Sequence, residues 1–453
     1  MRILLSVLAS SFFILPLSVT QAEPHTHAGR THSHPFPAQL GVRHKHGAGE
    51  AGKYAGKSQP APRTTAAPSR ATSNSATPRQ GRQGDANSLL DKAYQRKDYK
   101  TVYRIASTYA KKGDRAAQFI MGQLFLLGQG QRKNPKVALA WFKKSADQGH
   151  PGSQQILASL YATGTGTRKN LGQAFKYYKL AAARGVPDAL RSLGIMYENG
   201  QGVKKHMPTA IKYYEQAANK GMTDVQLMLG ERYLRGVGVK KNPHKAFRFI
   251  NKAAKSGDQN ANYLLGVSYA NGIGTKKNTK LAFKHISKAA KRNNPDAQYD
   301  LASMYSQGIG TKQNHTKAFQ WYKKAASRGV VLAQHNLGLI YLQGVGTKKN
   351  HKSAFSWFNK AANKGFALSQ YFMGDLYVDG VGTGKNQKLA LKWYKKAAAQ
   401  ELPAALYSVG AMYANGFGTK KNLKEAKRWF QKAANRGSEK GKNALAILKR
   451  NGV

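Results

Sequence analysis

The chain repeats itself every 36 residues, and no other feature of the sequence constrains its fold as strongly. Nine copies follow one another without insertion or deletion, and each contains Gly-x-Gly in its first half. The glycine pairs are Gly128/Gly130, Gly164/Gly166, Gly200/Gly202, Gly236/Gly238, Gly272/Gly274, Gly308/Gly310, Gly344/Gly346, Gly380/Gly382 and Gly416/Gly418. A uniform period of this length predicts a row of stacked, equivalent units.

Each unit has the pattern of two helices joined by a glycine turn, as residues 330–365 illustrate. The apolar residues of the first half recur at the spacing of one helix face: Ala333, Leu337, Ile340 and Tyr341. Gly344 and Gly346 follow, and two residues without a Cβ allow the chain to end a helix and reverse direction. The first half therefore predicts an amphipathic helix of about three turns.

A second helix is predicted to begin directly after this turn. Asn350 is a typical N-cap residue, and in two other copies the next residue is Pro135 or Pro243, which suits the first helical position. The apolar face of this helix consists of Ala354, Phe355, Trp357, Phe358, Ala361 and Ala362. Gly365 ends it, so each unit is a helix-turn-helix.

Neither helix of a unit can bury its apolar face alone, so each pair must pack against the units before and after it. The sequence therefore predicts an all-α fold, an α/α superhelical solenoid of nine helix-turn-helix repeats over residues 114–437. Residues 85–113 lack Gly-x-Gly but have the pattern of two short helices, and we expect them to form an N-terminal helical cap. Residues 438–453 are expected to form a C-terminal helical cap, with Lys449 and Arg450 at the end that favours cations.

Together these residues resemble the Sel1-like repeat, a relative of the tetratricopeptide repeat with a longer loop between its helices. In residues 330–365 the matching positions are Leu337, Gly338, Tyr341, Gly344, Gly346, Ala354, Trp357, Ala361, Ala362 and Gly365. The resemblance implies a concave surface that binds other proteins or extended ligands, commonly as a scaffold or adaptor. In bacteria such proteins are often found in the envelope or at the host interface. The resemblance implies no catalysis.

Two features depart from the family pattern. Members typically have an acidic residue ahead of the second helix, whereas eight copies here have Asn and the ninth has His206. A cysteine-rich bacterial branch has a disulfide in each repeat, and this chain has no cysteine. The β-lactam binding suggested for that branch therefore gains no support from this sequence.

Residues 1–22 have the pattern of a secretory signal peptide. Arg2 precedes an apolar run over residues 3–19, and small residues lead to Ala22. An uncleaved membrane anchor is the alternative, which the short run and its weakly basic following flank disfavour. No other segment has the pattern of a membrane span. We therefore expect an exported protein, periplasmic or secreted.

Residues 23–84 are rich in Pro, Gly, Ser, Thr, Ala and His, and they are predicted to form a flexible tether. Three His-x-His pairs lie within this segment: His25/His27, His32/His34 and His44/His46. Imidazoles at this spacing can bind zinc, copper or nickel. The favoured alternative is a polar segment whose histidines gain charge in acid. No other cofactor is predicted.

The charge of the chain is extreme, because 74 Lys and Arg face 20 Asp and Glu and leave a formal net charge of +54. Such a molecule attracts polyanions. Basic pairs recur in the loops at one position of the unit: Arg132/Lys133, Arg168/Lys169, Lys204/Lys205, Lys240/Lys241, Lys276/Lys277, Lys348/Lys349 and Lys420/Lys421. Stacking would align them into an anion-binding edge for lipid head groups, lipopolysaccharide or wall polymers. The alternative is a solvated face, since lysines are equally abundant on the second helices.

Two sets of first-helix residues are candidates for partner binding. The first set is aromatic or His at one position of the unit: Tyr263, Tyr299, His335, Tyr371 and Tyr407. Packing between adjacent first helices is the favoured alternative for this set. The second set occupies positions of variable type: Glu231, Arg235, Asp375 and Asp379. Variable positions on an inner helix are where partner choice would be encoded.

Catalysis and nucleic-acid binding both lack support. The chain has no thiol and no nucleophile motif in a fitting context, and its Gly-x-Gly follows no strand, unlike a phosphate-binding loop. A nucleic-acid-binding surface requires exposed aromatic residues that alternate with cations. Here the aromatic residues mostly occupy predicted core positions instead. We therefore expect a non-catalytic protein–protein interaction scaffold of the bacterial envelope or host interface. The alternatives are an electrostatic binder of anionic lipid or polysaccharide, and a modulator of a periplasmic wall-processing enzyme.

Overall fold

The computed structural model of the chain describes residues 25–27, 30–32 and 89–452. The predicted signal peptide and most of the predicted tether lie outside these residues. Two short strands, His25–His27 and Arg30–His32, pair antiparallel with His25 opposite His32. No helix in the described part combines the length and the apolar character that a bilayer span requires.

Helices make up most of the described chain from residue 89 onward. The first, α1, covers residues 89–95. The others are α2 Tyr99–Lys111, α3 Arg115–Leu127, α4 Pro135–Asp147, α5 Pro151–Thr163, α6 Leu171–Ala183, α7 Pro187–Asn199, α8 Met207–Asn219, α9 Thr223–Arg235, α10 Pro243–Lys255, α11 Gln259–Asn271, α12 Thr279–Lys291, α13 Pro295–Gln307, α14 His315–Ser327, α15 Val331–Gln343, α16 His351–Asn363, α17 Ala367–Asp379, α18 Gln387–Ala398, α19 Pro403–Asn415, α20 Leu423–Asn435 and α21 Glu439–Arg450. The predicted all-α repeat class is confirmed.

The helical part forms two compact units. Within the described residues, the N-terminal unit comprises residues 89–232 and 236–240, and the C-terminal unit comprises residues 233–235 and 241–452. Helices α2 to α8 pack in chain order in the N-terminal unit, and α10 to α21 do so in the C-terminal unit. In each repeat the odd-numbered helix is the first helix and the even-numbered helix is the second.

The turn between the two helices of a repeat depends on both glycines, as α15 and α16 show. Gly344 ends α15 with φ 77°, and its N–H donates to the Ile340 carbonyl at 2.8 Å. Gly346 also has a positive φ, and a Cβ there would lie 2.3 Å from the His315 carbonyl oxygen of α14. The second glycine therefore allows the loop to pack against the preceding repeat.

The end of the turn is fixed by the residue that precedes each second helix, which is asparagine in eight of the nine repeats. The Asn350 N–H donates to the Tyr341 carbonyl at 2.8 Å, and the Asn350 Oδ1 accepts from the Ser353 N–H at 2.8 Å. The latter bond caps α16, because it satisfies one of the amides that a helix N-terminus leaves without a partner. His206 caps α8 in the same way, with its Nδ1 accepting from the Thr209 N–H.

The hydrophobic core consists of side chains buried between successive helices, as the repeat of α15 and α16 shows. Leu337, Ala354, Phe358 and Ala361 are fully buried, and a Cβ on Gly338 would lie 2.9 Å from the Phe358 ring. This close approach explains why seven of the nine repeats have glycine at that position, while the other two have Ala158 and Ala302. The next first helix then packs on α16, where the Gln370 Nε2 donates to the Ala362 carbonyl at 3.1 Å.

Candidate binding surfaces

The aromatic and His set of the first helices lies at contacts between helices. The Tyr263 hydroxyl donates to the Asp300 carboxylate of the next first helix at 3.0 Å. His335 is 4% exposed, and its Nδ1 lies 2.9 Å from the Ser369 Oγ. The remaining three rings contact rings of second helices at centroid distances of 5.5–5.6 Å: Tyr299 with Tyr322, Tyr371 with Tyr394, and Tyr407 with Phe430. Packing thus accounts for these rings, and their contact with a partner stays a prediction.

Burial shifts the pKa of His335, which belongs to this set, and of Asp300, which is hydrogen-bonded to Tyr263 of the set. It lowers the pKa of His335 to about 3, so this imidazole is neutral at physiological pH. Burial likewise raises the pKa of Asp300 to about 7, with Asp296 adding to the effect and the hydrogen bond from Tyr263 opposing it. The sequence indicated no partner for this carboxyl, since Tyr263 lies 37 residues away in the chain.

The variable set divides into exposed and enclosed residues. Glu231, Arg235 and Asp379 are exposed. Asp375 is half-buried, and it accepts a hydrogen bond of 2.6 Å from the Tyr394 hydroxyl. Burial raises the pKa of Asp375 to about 7. Three of the four residues therefore have the exposure that partner contact requires, and that contact stays a prediction.

In five consecutive repeats of the C-terminal unit, the two helices differ sharply in charge. The first helices α11, α13, α15, α17 and α19 contain no Lys or Arg, and their acidic residues are Asp296, Asp300, Asp375 and Asp379. The second helices α12, α14, α16, α18 and α20 carry two to four cations each. A total charge conceals this difference, whereas counting charges position by position along the repeat would have found it.

The predicted anion-binding edge consists of exposed cations. Each of the ten lysines in its five Lys-Lys pairs is exposed: Lys204, Lys205, Lys240, Lys241, Lys276, Lys277, Lys348, Lys349, Lys420 and Lys421. Anion binding requires these lysines to be exposed, but a solvated face without a ligand would also expose them. Anion binding at these residues stays a prediction.

The tryptophans of the second helices form a set that the sequence analysis missed. A lysine ammonium lies 3.9–4.8 Å from the ring centroid of each of the five: Trp141 with Lys144, Trp321 with Lys324, Trp357 with Lys360, Trp393 with Lys396, and Trp429 with Lys432. The spacing of three residues on a helix, Trp-x-x-Lys, was the available signal. A cation thus occupies one face of every indole, which limits the rings as platforms for base stacking.

The side chains of the six predicted metal ligands lie outside the described part of the structure. His34, His44 and His46 lie outside the described residues, and only the backbone of His25, His27 and His32 is described. Among the residues whose side chains are described, no group of three or more His, Cys, Asp and Glu side chains could hold a metal ion. Metal binding by the His-x-His pairs therefore stays a prediction.

Comparison with known proteins identifies the repeat. The Sel1 repeat model matches residues 115–150, 151–186, 187–222, 223–258, 259–294, 295–330, 331–366, 367–402 and 403–438. No curated protein matches the chain at a significant level.

Two solved structures share both the fold and part of the sequence. The first is c5321, a protective antigen present in uropathogenic Escherichia coli strains displaying an SLR fold, at 27% identity and a TM-score of 0.60 over 82% of this chain and 89% of that chain. The second is a Sel1 repeat protein from Oxalobacter formigenes, at 30% identity and a TM-score of 0.56 over 68% of this chain and 90% of that chain. The predicted resemblance is confirmed, and the chain belongs to the Sel1 repeat family.

Proposed function

We propose that this protein is an exported, non-catalytic scaffold whose first helices hold a protein segment while its basic loops and second helices keep it at an anionic surface. Sel1-type repeats generally mediate protein–protein interaction and generally lack catalytic activity. The separation of charge between the two helices carries the proposal. In a chain of net charge +54, five consecutive first helices without a cation offer a surface that does not repel a basic or neutral partner.

Export rests on the pattern of residues 1–22, with its apolar run over residues 3–19 and the small residues before residue 23. Fusing residues 1–22 to a reporter enzyme that is active only outside the cytoplasm tests this part. Activity of the fusion in cells supports export, and its absence argues against it. A fusion with two of the apolar residues changed to Arg is the matched control.

Partner binding is tested by separating the two surfaces with matched variants. In the first variant, Asp379→Lys and Asn415→Lys add cations at the last residues of α17 and α19, where positive charge suits the helix dipole. In the second, Lys276→Gln and Lys348→Gln remove two cations from the loops. Each protein is crosslinked in the native envelope, and bound proteins are recovered at roughly 0.5 M salt, at which exposed charges are screened within a few ångströms.

We expect the loop variant to retain the bound proteins of the wild type and the first-helix variant to lose them. Equal thermal melting of all three proteins would establish that the fold is unchanged. Loss from the loop variant alone, with everything eluting at high salt, would instead favour the electrostatic binder of anionic lipid, lipopolysaccharide or wall polymer. Modulation of a wall-processing enzyme would require such an enzyme among the retained proteins.

A further inference from the structure

A cavity of about 510 Å³ lies at the junction of α12, α13 and α14 in the C-terminal unit. It is lined by Ala290, Lys291, Asn293, Gln298, Trp321, Lys324 and Arg328. Three of these side chains are cations, two are carboxamides and none is acidic. The volume falls within the range of small-molecule sites. The lining therefore favours an anion of small size.

One residue of the cavity lining, Gln298, has a buried side-chain carbonyl oxygen that lacks a hydrogen-bond donor among the described residues. Gln298 is fully buried, and its Nε2 donates to the Ala290 carbonyl at 3.2 Å. Its Oε1 has no hydrogen-bond partner among the described residues. A buried acceptor in this state costs free energy, and a ligand that donates a hydrogen bond would recover it.

Equivalent glutamines show how this oxygen is satisfied elsewhere in the chain. The Oε1 of Gln118 accepts from the Gln148 Nε2 at 2.8 Å, and the Oε1 of Gln370 accepts from the Gln400 Nε2 at 2.8 Å. The position of those two donors is occupied by Arg328 in the cavity repeat. At the same position of the repeat, this oxygen also lacks a partner among the described residues in Gln154, Gln226 and Gln334. The cavity repeat is thus distinguished by its cations around the oxygen, not by the oxygen alone.

Two of the cations are held in place by neighbouring side chains. The Arg328 Nη2 donates to the Asn293 Oδ1 at 2.7 Å. Asn293 has φ 69° at a position where seven of the nine repeats have glycine, and asparagine tolerates this left-handed conformation better than most residues. The Lys324 ammonium lies 4.1 Å from the Trp321 ring centroid, within cation–π distance. Positioned cations bind an anion at a smaller entropic cost than mobile ones.

We infer that this cavity binds an anionic sugar, in which a phosphate or carboxylate has hydroxyl groups beside it. The anionic group would be bound by Lys291, Lys324 and Arg328, and the guanidinium suits the geometry of a phosphate or carboxylate. A neighbouring hydroxyl would donate to the Gln298 Oε1. Ala290 and Trp321 are the only apolar lining residues, so the cavity offers little to a hydrophobic side chain.

The inference is tested by calorimetric titration of the full chain with glucose 6-phosphate at about 0.15 M salt, where exposed charges are screened beyond roughly 8 Å. We expect a single site. Arg328→Gln should weaken binding about tenfold or more, because it removes a charge-assisted contact and supplies the amide that satisfies the equivalent oxygen elsewhere. Since glutamine already occupies this position at Gln148 and Gln400, the variant is expected to fold, and thermal melting checks this.

Two further variants separate the site from general charge. Lys360→Gln removes a cation from the equivalent position of the next repeat, and we expect it to bind glucose 6-phosphate as the wild type does. Asn293→Gly changes no charge but releases Arg328, and we expect it to bind more weakly than the wild type. Equal affinity in the wild type and Arg328→Gln, or no binding at millimolar ligand, would overturn the site.

Two simpler probes test the chemistry of the ligand. Glucose lacks the anionic group, and inorganic phosphate lacks the sugar hydroxyls, so both should bind more weakly than glucose 6-phosphate. Inorganic phosphate binding as tightly as the sugar phosphate would overturn the assignment to a sugar. The inference does not depend on the proposed scaffold function, because Arg328→Gln should leave the recovery of crosslinked proteins unchanged.

Discussion

Asp300 is the residue at which burial changes the chemistry of this protein most clearly. Its carboxyl group lies between two first helices, and it accepts the hydrogen bond from Tyr263. Its pKa is raised from 3.8 to about 7. Since the folded pKa exceeds the unfolded one, the folded state binds more protons between about pH 4 and pH 7. The free energy of unfolding therefore decreases as the pH rises through this window.

Replacing Asp300 by Asn should remove the share of this pH dependence that Asp300 contributes, whereas Asp375, whose pKa is also raised to about 7, retains its own share. At 1.36 kcal/mol per pKa unit, the wild type has up to about 4 kcal/mol less stability at pH 8 than it would have without this ionisation. We expect Asp300→Asn to unfold at a higher urea concentration than the wild type at pH 8, with a smaller difference at pH 4.5. Asp379→Asn, which changes an exposed carboxyl, is the control and should alter neither midpoint appreciably. A wild type whose midpoint does not change between these pH values would contradict the raised pKa.

Gly274 shows why the repeat requires a second glycine. It has φ 67°, and a Cβ there would lie 2.1 Å from the Pro243 carbonyl oxygen. Gly274→Ala should lower the free energy of unfolding by roughly 2–4 kcal/mol, since it combines left-handed strain with a backbone clash. Gly365→Ala is the matched control, because Gly365 has φ 90° but no atom within 4 Å of its added Cβ. Its expected cost is about 1–2 kcal/mol, from strain alone. Urea unfolding of both variants gives the comparison, and equal costs would mean that the clash is relieved by movement of the loop.

At the scale of the helix, the two helices begin differently in five of the nine repeats. Every second helix α4 to α20 has a side-chain cap from Asn or His206, whereas the first helices α7, α9, α15, α17 and α19 have none. The N-cap residues of these five first helices are apolar: Val186, Met222, Val330, Phe366 and Leu402. Packing between repeats therefore fixes the start of these five helices, whereas a side-chain hydrogen bond fixes the start of the second helices and of α3, α5, α11 and α13.

Removing one of these caps tests its contribution. Asn350→Ala deletes the acceptor for the Ser353 N–H and should lower the free energy of unfolding by about 1 kcal/mol. Asn350→Asp keeps an acceptor at the same place and adds a negative charge at the helix N-terminus, so it should retain most of the stability. Urea unfolding of the three proteins measures both effects. An Asp variant as unstable as the Ala variant would show that the backbone conformation of Asn350, not its side chain, carries the effect.

The helices could be predicted from the sequence because their signals are local. The 36-residue period, the glycine pairs and the cap asparagines lie within one repeat, and they determined the fold class. The contacts of the candidate sites are not local. Asn293 and Arg328 are 35 residues apart, and Tyr263 and Asp300 are 37 apart. Which rotamer each side chain adopts across a repeat boundary depends on packing, and a repeat pattern does not encode that choice.

At the scale of the whole molecule, most of the positive charge has no counterpart. With 74 basic and 20 acidic residues, at most a minority of the cations can form ion pairs. Pairs between exposed side chains contribute little in any case. Repulsion among the remaining cations opposes the folded state, which holds them closer together than the unfolded chain does. Salt should weaken this repulsion more than it weakens the few attractive pairs.

We therefore expect the urea midpoint of the full chain to rise as sodium chloride increases from about 0.01 M to about 0.3 M, as the Debye length falls from about 30 Å to below 10 Å. Sodium fluoride at equal ionic strength should raise the midpoint by the same amount, because screening depends on ionic strength and not on the identity of the anion. A larger rise with one anion would indicate specific binding instead. A midpoint that falls with salt would mean that attraction between the cations and the acidic residues, including Asp296, Asp300, Asp375 and Asp379 of the first helices, outweighs repulsion among the cations.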